Sequence, residues 1–235
     1  MTGLWAALTD LVLPASCAGC GSSGERLAFE VCARCVSAIE ALRPGPCRPT
    51  PAPPGLPPAH ALGDYGGELR ELLLEFKERG RHRLARPLGA LLAEVVVSAV
   101  PGNAPLLLLY IPDTRAAAAR RHGDHLRRLA DEACRRLATA GREVLVGHAL
   151  RAAPKPDSAH LGIAGRAATA REAFAVNRFG WRAVRHAATR RTVVLLDDIL
   201  TTGSTLANAA ERLAEAEVEV HSCAVLAATT RRLPA

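Results

Sequence analysis

The stretch from Val193 to Thr205, VVLLDDILTTGST, places the strongest constraint on the fold of this 235-residue chain. Four aliphatic residues lead into two adjacent aspartates, and small hydroxyl residues then surround Gly203. A short run that is apolar on both faces is typical of a central strand in a parallel sheet. A glycine among threonines and a serine is typical of a turn into a helix. The stretch therefore predicts a strand, a turn and a helix in succession.

The chain after residue 60 alternates helical and strand-like patterns. Apolar residues recur at helical spacing in four segments, residues 69–76, 84–95, 126–137 and 205–216. Short apolar runs that fit buried strands lie at residues 105–111, 143–150, 192–199 and 218–227. Such strands separated by helices indicate an α/β fold, with helices on both faces of an open parallel sheet. No internal repeat is visible, which argues against a solenoid.

Two close cysteine pairs, Cys17 with Cys20 and Cys32 with Cys35, precede this region. Four thiolates at this spacing fit a tetrahedral, structural Zn²⁺ site. Two disulfides would fit an oxidising compartment, and a redox-active pair is a further alternative. We favour zinc because the N-terminus lacks the basic region of a secretory leader, so we also expect a cytoplasmic protein.

The segment from residue 44 to 58, PGPCRPTPAPPGLPP, contains eight of the sixteen prolines. Proline has no amide donor, so this segment fits neither a helix nor a central strand and is expected to be a stiff, extended linker. We therefore predict a zinc-binding segment at residues 1–43, a linker at 44–60 and the α/β domain at 61–235. No apolar run is long enough to insert into a membrane, and the N-terminal residues predict a short amphipathic helix.

The formal net charge of +7 suits an anionic partner. However, 28 of the 30 basic residues are arginine, which a general compositional bias explains equally well. The aromatic content is only 3 %, and proteins that bind single-stranded nucleic acid usually stack bases on aromatic side chains. The charge thus favours anion binding without identifying the anion.

The turn at residues 201–205 has the chemistry of a phosphate site. Its backbone amides lie at the positive end of a predicted helix, and Thr201, Thr202, Ser204 and Thr205 add hydroxyl donors around Gly203. Asp197 and Asp198 repel a phosphate, but they suit vicinal hydroxyls or a Mg²⁺ ion beside it. A ribose 5-phosphate meets both requirements. Alternatively, the aspartates only end the strand while Thr202 or Ser204 caps the helix.

A P-loop nucleotide site is excluded because the chain contains no Gly-Lys pair. The thirteen residues of the stretch resemble the phosphoribosyl pyrophosphate (PRPP) signature of type I phosphoribosyltransferases. This resemblance implies PRPP with Mg²⁺ as the ligand and a type I phosphoribosyltransferase-like fold.

With the cysteine pairs before it, the chain resembles the ComF family, competence-associated, phosphoribosyltransferase-like proteins with an N-terminal zinc ribbon. Residues 64–80, 110–130 and 151–174 are similar to further segments of that family. Cys47 alone stands where a second ribbon would follow, so one zinc per chain is expected. Ser158 and Thr169 replace the Gln and Asn typical of the family, and RRHGDH replaces RRGFNQ. The resemblance implies a role in DNA uptake, with a protein of that machinery or single-stranded DNA as a partner.

If PRPP is the ligand, its pyrophosphate needs a second anion site. Asp113, Thr114 and Arg115 follow the first long strand at the correct sheet edge, although they also fit an ordinary turn. Arg120 and Arg121 fit either a phosphate clamp or a solvated loop face.

Lys155 and Arg166 are predicted to stabilise the leaving pyrophosphate as catalytic cations, with surface charges as the alternative. Lys77, the other lysine of the chain, is expected only to cover apolar surface. His122 and His125 are weak evidence for a ligand or a base.

The predicted function is PRPP binding, with phosphoribosyl transfer to an acceptor that the sequence does not identify. The alternative is a PRPP sensor or DNA-uptake accessory protein that performs no chemistry. The oligomeric state stays open at this point.

Overall fold

A computed structural model describes residues 16–120, 123–152 and 173–229 of the chain. The strands are β1 (Leu27–Ala28), β2 (Val31–Cys32), β3 (Gly45–Cys47), β4 (Ala59–Asp64), β5 (Leu106–Tyr110), β6 (Val144–Gly147), β7 (Leu150–Ala152), β8 (Phe174–Val176), β9 (Thr192–Leu200) and β10 (Ser222–Ala228). The helices are α1 (Ala33–Glu40), α2 (Gly67–Glu78), α3 (Ala85–Ala99), α4 (Arg115–Arg120), α5 (His125–Thr139), α6 (Trp181–Ala188) and α7 (Ser204–Glu215). The N-terminal amphipathic helix expected from the sequence lies outside the described residues.

A six-stranded sheet in the order β3-β4-β10-β9-β5-β6 forms the centre of the described structure. Five of its strands run parallel, and β3 pairs antiparallel with β4 at the edge. Along β5 and β9, alternate residues enter two hydrophobic cores on opposite faces of the sheet. One core contains residues of α1, α2, α3 and α5, and the other contains residues of α6 and α7. The predicted parallel-dominated sheet with helices on both faces is thereby confirmed.

The N-terminal cysteine segment packs directly on this sheet domain. Cys32, Cys35 and Ile39 are buried in the same core as residues of α2 and α3. Arg81 adds polar links, because its guanidinium donates to the backbone oxygen of Ser16 at 2.7 Å and pairs with Glu75 at 2.8 Å. The segment therefore shares one hydrophobic core with the larger domain.

The proline-rich segment contributes an edge strand to the main sheet. Gly45 to Cys47 form β3, where the missing amide of Pro46 is tolerated because one side of an edge strand has no partner. The following residues, up to Leu56, pack over the turn after β9. The three-part division of the chain into 1–43, 44–60 and 61–235 stays a prediction.

A helix that crosses a membrane must be both long and apolar. Across the three described ranges, no helix combines enough length with enough apolar character to cross a bilayer.

Helices α3 and α5 approach each other closely at Gly89. A Cβ atom at this position would lie 2.3 Å from Cβ of Glu132 and 3.1 Å from the backbone oxygen of Leu129. The contact holds two long helices on one face of the sheet, so their spacing depends on the absence of a side chain here.

We expect Gly89→Ala to lower the free energy of unfolding by about 1 to 3 kcal/mol, because the helices must separate to admit the methyl group. Urea denaturation followed by circular dichroism measures the change. Gly45→Ala is the matched control, since a Cβ there meets no atom within 4 Å. Equal unfolding midpoints for the two variants would contradict the close approach.

Candidate functional site

The two adjacent aspartates lie where the sheet opens a crevice. Strand β5 ends at Tyr110, which is in register with Leu196, whereas β9 continues past it and pairs with β10 as far as Leu200. Asp197 and Asp198 therefore lie just beyond the carboxyl end of the neighbouring strand. In parallel α/β sheets this is the usual place for a ligand.

The turn from β9 into α7 exposes the N-terminus of that helix. Gly203 is the residue before the helix, adopts a left-handed conformation with φ of 78°, and leaves the first turn without a side-chain cap. Thr201, Thr202, Ser204 and Thr205 are all exposed around it. The hydroxyl of Thr202 donates to Oγ of Ser204 at 3.1 Å. The amide of Ser204 donates to Oγ1 of Thr202 at 3.4 Å. The backbone amides of the turn, the helix dipole and the clustered hydroxyls together can bind a dianion.

A proline-lined cavity of about 630 Å³ adjoins this turn. Its lining residues are Pro49, Thr50, Pro51, Ala52, Pro53, Pro54, Thr201, Thr202, Ser204 and Thr229. A Cβ atom added at Gly203 would lie 2.9 Å from Leu56 and 3.2 Å from Pro49, so the segment packs tightly against the glycine. The segment predicted to be a linker thus forms one wall of the cavity beside the turn.

Asp198 is the centre of a buried charge network. Its Oδ2 atom accepts from Nζ of Lys77 at 2.6 Å and from Nε2 of His125 at 3.0 Å. The other ring nitrogen of His125, Nδ1, lies 2.5 Å from Oδ2 of Asp113. The ring of Phe76 packs edge-on against the imidazole, and Phe76, His125 and Asp198 are all buried.

The surroundings shift the pKa values of Asp198 and His125 in opposite directions. Burial alone would raise the pKa of Asp198, but the hydrogen bond from His125 and the charge of Lys77 hold that pKa well below its usual value. Burial alone would lower the pKa of His125, but its hydrogen bonds to Asp113 and Asp198 raise the pKa to about 9. At neutral pH Asp198 is therefore ionised and His125 is an imidazolium.

Asp197 has a different environment from its neighbour. It is half-buried on the opposite side of β9, and its Oδ1 accepts from the amide of Asp198 at 2.9 Å. Burial and the negative charge of Asp198 raise the pKa of Asp197 to about 8. A cation or a hydroxyl donor bound next to it would favour its ionised form.

The loop after β5 brings Asp113 to the same place. Its amide donates to Oδ2 of Asp124 at 3.4 Å, and Asp124 caps α5. Thr114 accepts from the amide of Ala117 at 3.2 Å and so caps the short helix α4.

The remaining predicted anion ligands lie on α4 or outside the described residues. Arg120 ends α4 and is exposed, and Arg115 begins that helix. Lys155, Arg166 and Arg121 lie outside the described residues, so their predicted roles stay predictions.

Two residues of the network were not expected from the sequence. The prediction that Lys77 only covers apolar surface is wrong, because its ammonium pairs with buried Asp198. His125 was not assigned a role, although it contacts both Asp113 and Asp198. The available signal was the rarity of lysine, since Lys77 is one of two lysines among 30 basic residues.

The four N-terminal cysteines converge on one point. Their Sγ atoms all lie within 4.8 Å of one another, and the Sγ atoms of Cys20 and Cys32 are 3.8 Å apart. A tetrahedron with Zn–S bonds of about 2.3 Å has edges of about 3.8 Å, so this donor set fits Zn²⁺. None of the seven cysteines forms a disulfide in the structure.

Backbone amides support the same cluster. The amides of Gly19 and Cys32 each donate to Sγ of Cys17 at 3.3 Å. Burial alone would raise the pKa of Cys17, but these amides lower it, which favours the thiolate that a metal needs. Gly19 has no room for a side chain, because a Cβ there would lie 2.9 Å from Sγ of Cys35.

Comparison with known families supports the chemistry of the turn. A family model described as the phosphoribosyl transferase domain matches residues 183–235, which include β9, the turn and α7. A comparison with curated proteins found no match. The match and the parallel-dominated sheet are consistent with a type I phosphoribosyltransferase fold, and they support a phosphoribosyltransferase-like protein that binds a ribose phosphate.

The charge on His125 makes stability dependent on pH. Its pKa is about 9 in the folded protein against an ordinary value of 6.5, so its contribution is complete below pH 6.5 and is lost as the pH rises through 9. We expect the free energy of unfolding to fall on the order of 2 to 3 kcal/mol more in the wild type than in His125→Gln between pH 6 and pH 10. Urea denaturation at both pH values tests this, and parallel pH profiles for the two proteins would contradict it.

The cysteine cluster predicts one bound zinc per chain. We expect elemental analysis to find one zinc in the wild type, and Cys32→Ser to lose it with a lower melting temperature. Cys134→Ser is the control, because Cys134 lies outside the cluster. Thiol titration of the unreduced, denatured protein separates the alternatives: three free thiols per chain instead of seven would indicate two disulfides and overturn the zinc assignment.

Proposed function

We propose that this protein binds PRPP with Mg²⁺ and transfers its phosphoribosyl group to an acceptor. The observation that carries the proposal is the turn after β9, where an uncapped helix N-terminus with exposed hydroxyls follows directly on two carboxylates. A phosphate at residues 201–205 would lie next to the hydroxyls of its own ribose at Asp197 and Asp198. One ligand therefore accounts for both halves of the stretch.

The 5-phosphate is proposed to bind in the proline-lined cavity. Only uncharged residues line this cavity, so the binding energy for a phosphate there would come from the amides and dipole of α7 and from the surrounding hydroxyls. The proline wall would also exclude water, which strengthens these interactions. This arrangement favours a compact phosphate monoester that both walls can contact.

The ribose and pyrophosphate are proposed to extend towards β5. Asp197 and Asp198 would accept hydrogen bonds from the ribose hydroxyls, and Asp113, Thr114 and Arg115 would contact the pyrophosphate. Arg120 and Arg121 would add cationic contacts to its oxygens. The order of strands β9 and β5 in the sheet supports this direction, because their carboxyl ends are adjacent.

The chemistry is a displacement at the anomeric carbon. A bond forms between that carbon and the acceptor nucleophile while the bond to the pyrophosphate oxygen breaks, and the pyrophosphate leaves with both electrons of that bond. The nearby carboxylates would stabilise positive charge on an oxocarbenium-like ribose. Mg²⁺ bound to the pyrophosphate would neutralise the leaving group. Lys155 and Arg166 are proposed to stabilise the same negative charge.

The finer assignment is membership in the ComF family, with a structural zinc in the N-terminal segment and a role in DNA uptake in the cytoplasm. The clustered cysteines support the zinc ribbon part of this assignment. A protein of the uptake machinery or single-stranded DNA is the proposed partner.

Isothermal titration with PRPP and Mg²⁺ tests the binding proposal. A pyrophosphate-release assay with pooled nucleobases and amines then tests transfer. Absence of binding would overturn the proposed function. Binding without pyrophosphate release for any acceptor would instead favour a PRPP sensor.

Substitution of Gly203 distinguishes an effect on the phosphate site from the strain of a side chain at a helix start. We expect Gly203→Ala to weaken PRPP binding by about tenfold or more, because the methyl group pushes the turn away from Leu56 and alters the amide positions. Gly180→Ala is the matched control: Gly180 also precedes a helix with φ of 79°, but a Cβ there meets no atom within 4 Å. Calorimetry measures both affinities. An equal loss in the two variants would contradict the phosphate assignment of the turn.

A further inference from the structure

The buried network joins two parts of the proposed donor site. Asp198 belongs to the sugar end, and Asp113 belongs to the loop proposed to contact the pyrophosphate. Between them lies a single side chain, His125, whose two ring nitrogens contact the two carboxylates at 3.0 Å and 2.5 Å. His125 and Asp198 are buried and Asp113 is nearly so, with 8 %, 7 % and 9 % of their side chains exposed.

The geometry requires a particular state of His125. A neutral imidazole has one N–H donor and one lone pair, so it can donate to only one of two carboxylates. The other carboxylate would then face a lone pair, which is repulsive in a buried position. An imidazolium has two donors and satisfies both carboxylates. With both carboxyl groups ionised, both contacts therefore form together only while the ring is charged.

Lys77 contacts only one end of this network. Its ammonium donates to the Oδ2 atom of Asp198 that also accepts from His125. Both cations thus approach the same oxygen. Within the described part of the chain, no hydrogen bond reaches the Oδ1 atom of Asp198, which is left to accept from a sugar hydroxyl.

From this arrangement we infer that His125 is a positioning residue that couples the sugar and pyrophosphate ends of the donor site, while Lys77 orients the sugar end alone. The inference rests on the proposed function. His125 donates to both carboxylates and contacts neither substrate. It fixes the distance between β9 and the loop after β5. A ligand that spans both parts therefore finds them already at the spacing it needs.

Three probes separate the two ends: ribose 5-phosphate for the sugar end, Mg²⁺–pyrophosphate for the other, and Mg²⁺–PRPP for both. In His125→Gln we expect the affinity for each fragment to fall by some factor. The affinity for PRPP should fall about 5- to 150-fold more than the product of these two factors, which is the usual range of coupling between linked sites. In Lys77→Met we expect ribose 5-phosphate and PRPP to weaken by the same factor, with Mg²⁺–pyrophosphate unchanged. Arg70→Gln is the control for loss of a cation from α2, because Arg70 is exposed on the same helix.

The outcomes are distinct. If the wild type does not bind PRPP, the proposed function fails. If it binds PRPP but His125→Gln weakens PRPP only by the product of the two fragment losses, the donor site stands and the coupling is overturned. A merely structural role of His125 predicts that second result, because general loosening affects each fragment independently.

A measurement on the wild type keeps the inference testable if His125→Gln does not fold. Nitrogen NMR of selectively labelled histidine should show one buried ring with both nitrogens protonated at pH 7. Addition of ribose 5-phosphate alone and of Mg²⁺–pyrophosphate alone should each shift that ring's signals. A shift with only one fragment, or a neutral ring, would overturn the coupling.

Discussion

The buried carboxylate of Asp198 is the constraint on which the rest of the site depends. A charge with so little contact with water is stable only when cations and hydrogen bonds replace the lost hydration. Lys77 on α2 and His125 at the start of α5 supply these, and His125 is in turn held by Asp113 after β5. Strand β9 and helices α2 and α5 therefore meet at one carboxylate oxygen, and the loop after β5 joins them through His125.

The two aspartates of the stretch differ because a strand alternates its faces. Asp198 faces α2 and α5 and is ionised by two cations, whereas Asp197 faces the other side and has a raised pKa. Two identical residues in one motif thus offer different chemistry. One is a fixed negative charge held by the protein, and the other changes its ionisation with whatever binds beside it.

Much of the fold could be predicted from residue patterns, but the network could not. Apolar spacing in α2, α3, α5 and α7 and the apolar runs of β5 and β9 correctly predicted the main elements. Strand β4, with the sequence AHALGD, and the eight-residue helix α6 were not predicted, because both are short and neither has a long apolar run. Lys77 and Asp198 lie 121 positions apart, so no local spacing could indicate their contact. The cysteine cluster could be predicted because Cys17, Cys20, Cys32 and Cys35 all lie within one short segment.

The proline wall has a consequence for the order in which the molecule is made. Pro49 and Leu56 are synthesised long before Gly203, the residue against which they pack. During translation the early segment leaves the ribosome well before Gly203, and its contact with the turn can form only after β9 and α7 have emerged. The pocket beside the turn is consequently among the last parts of the protein to form, and a chain that stops before α7 has no pocket of this kind.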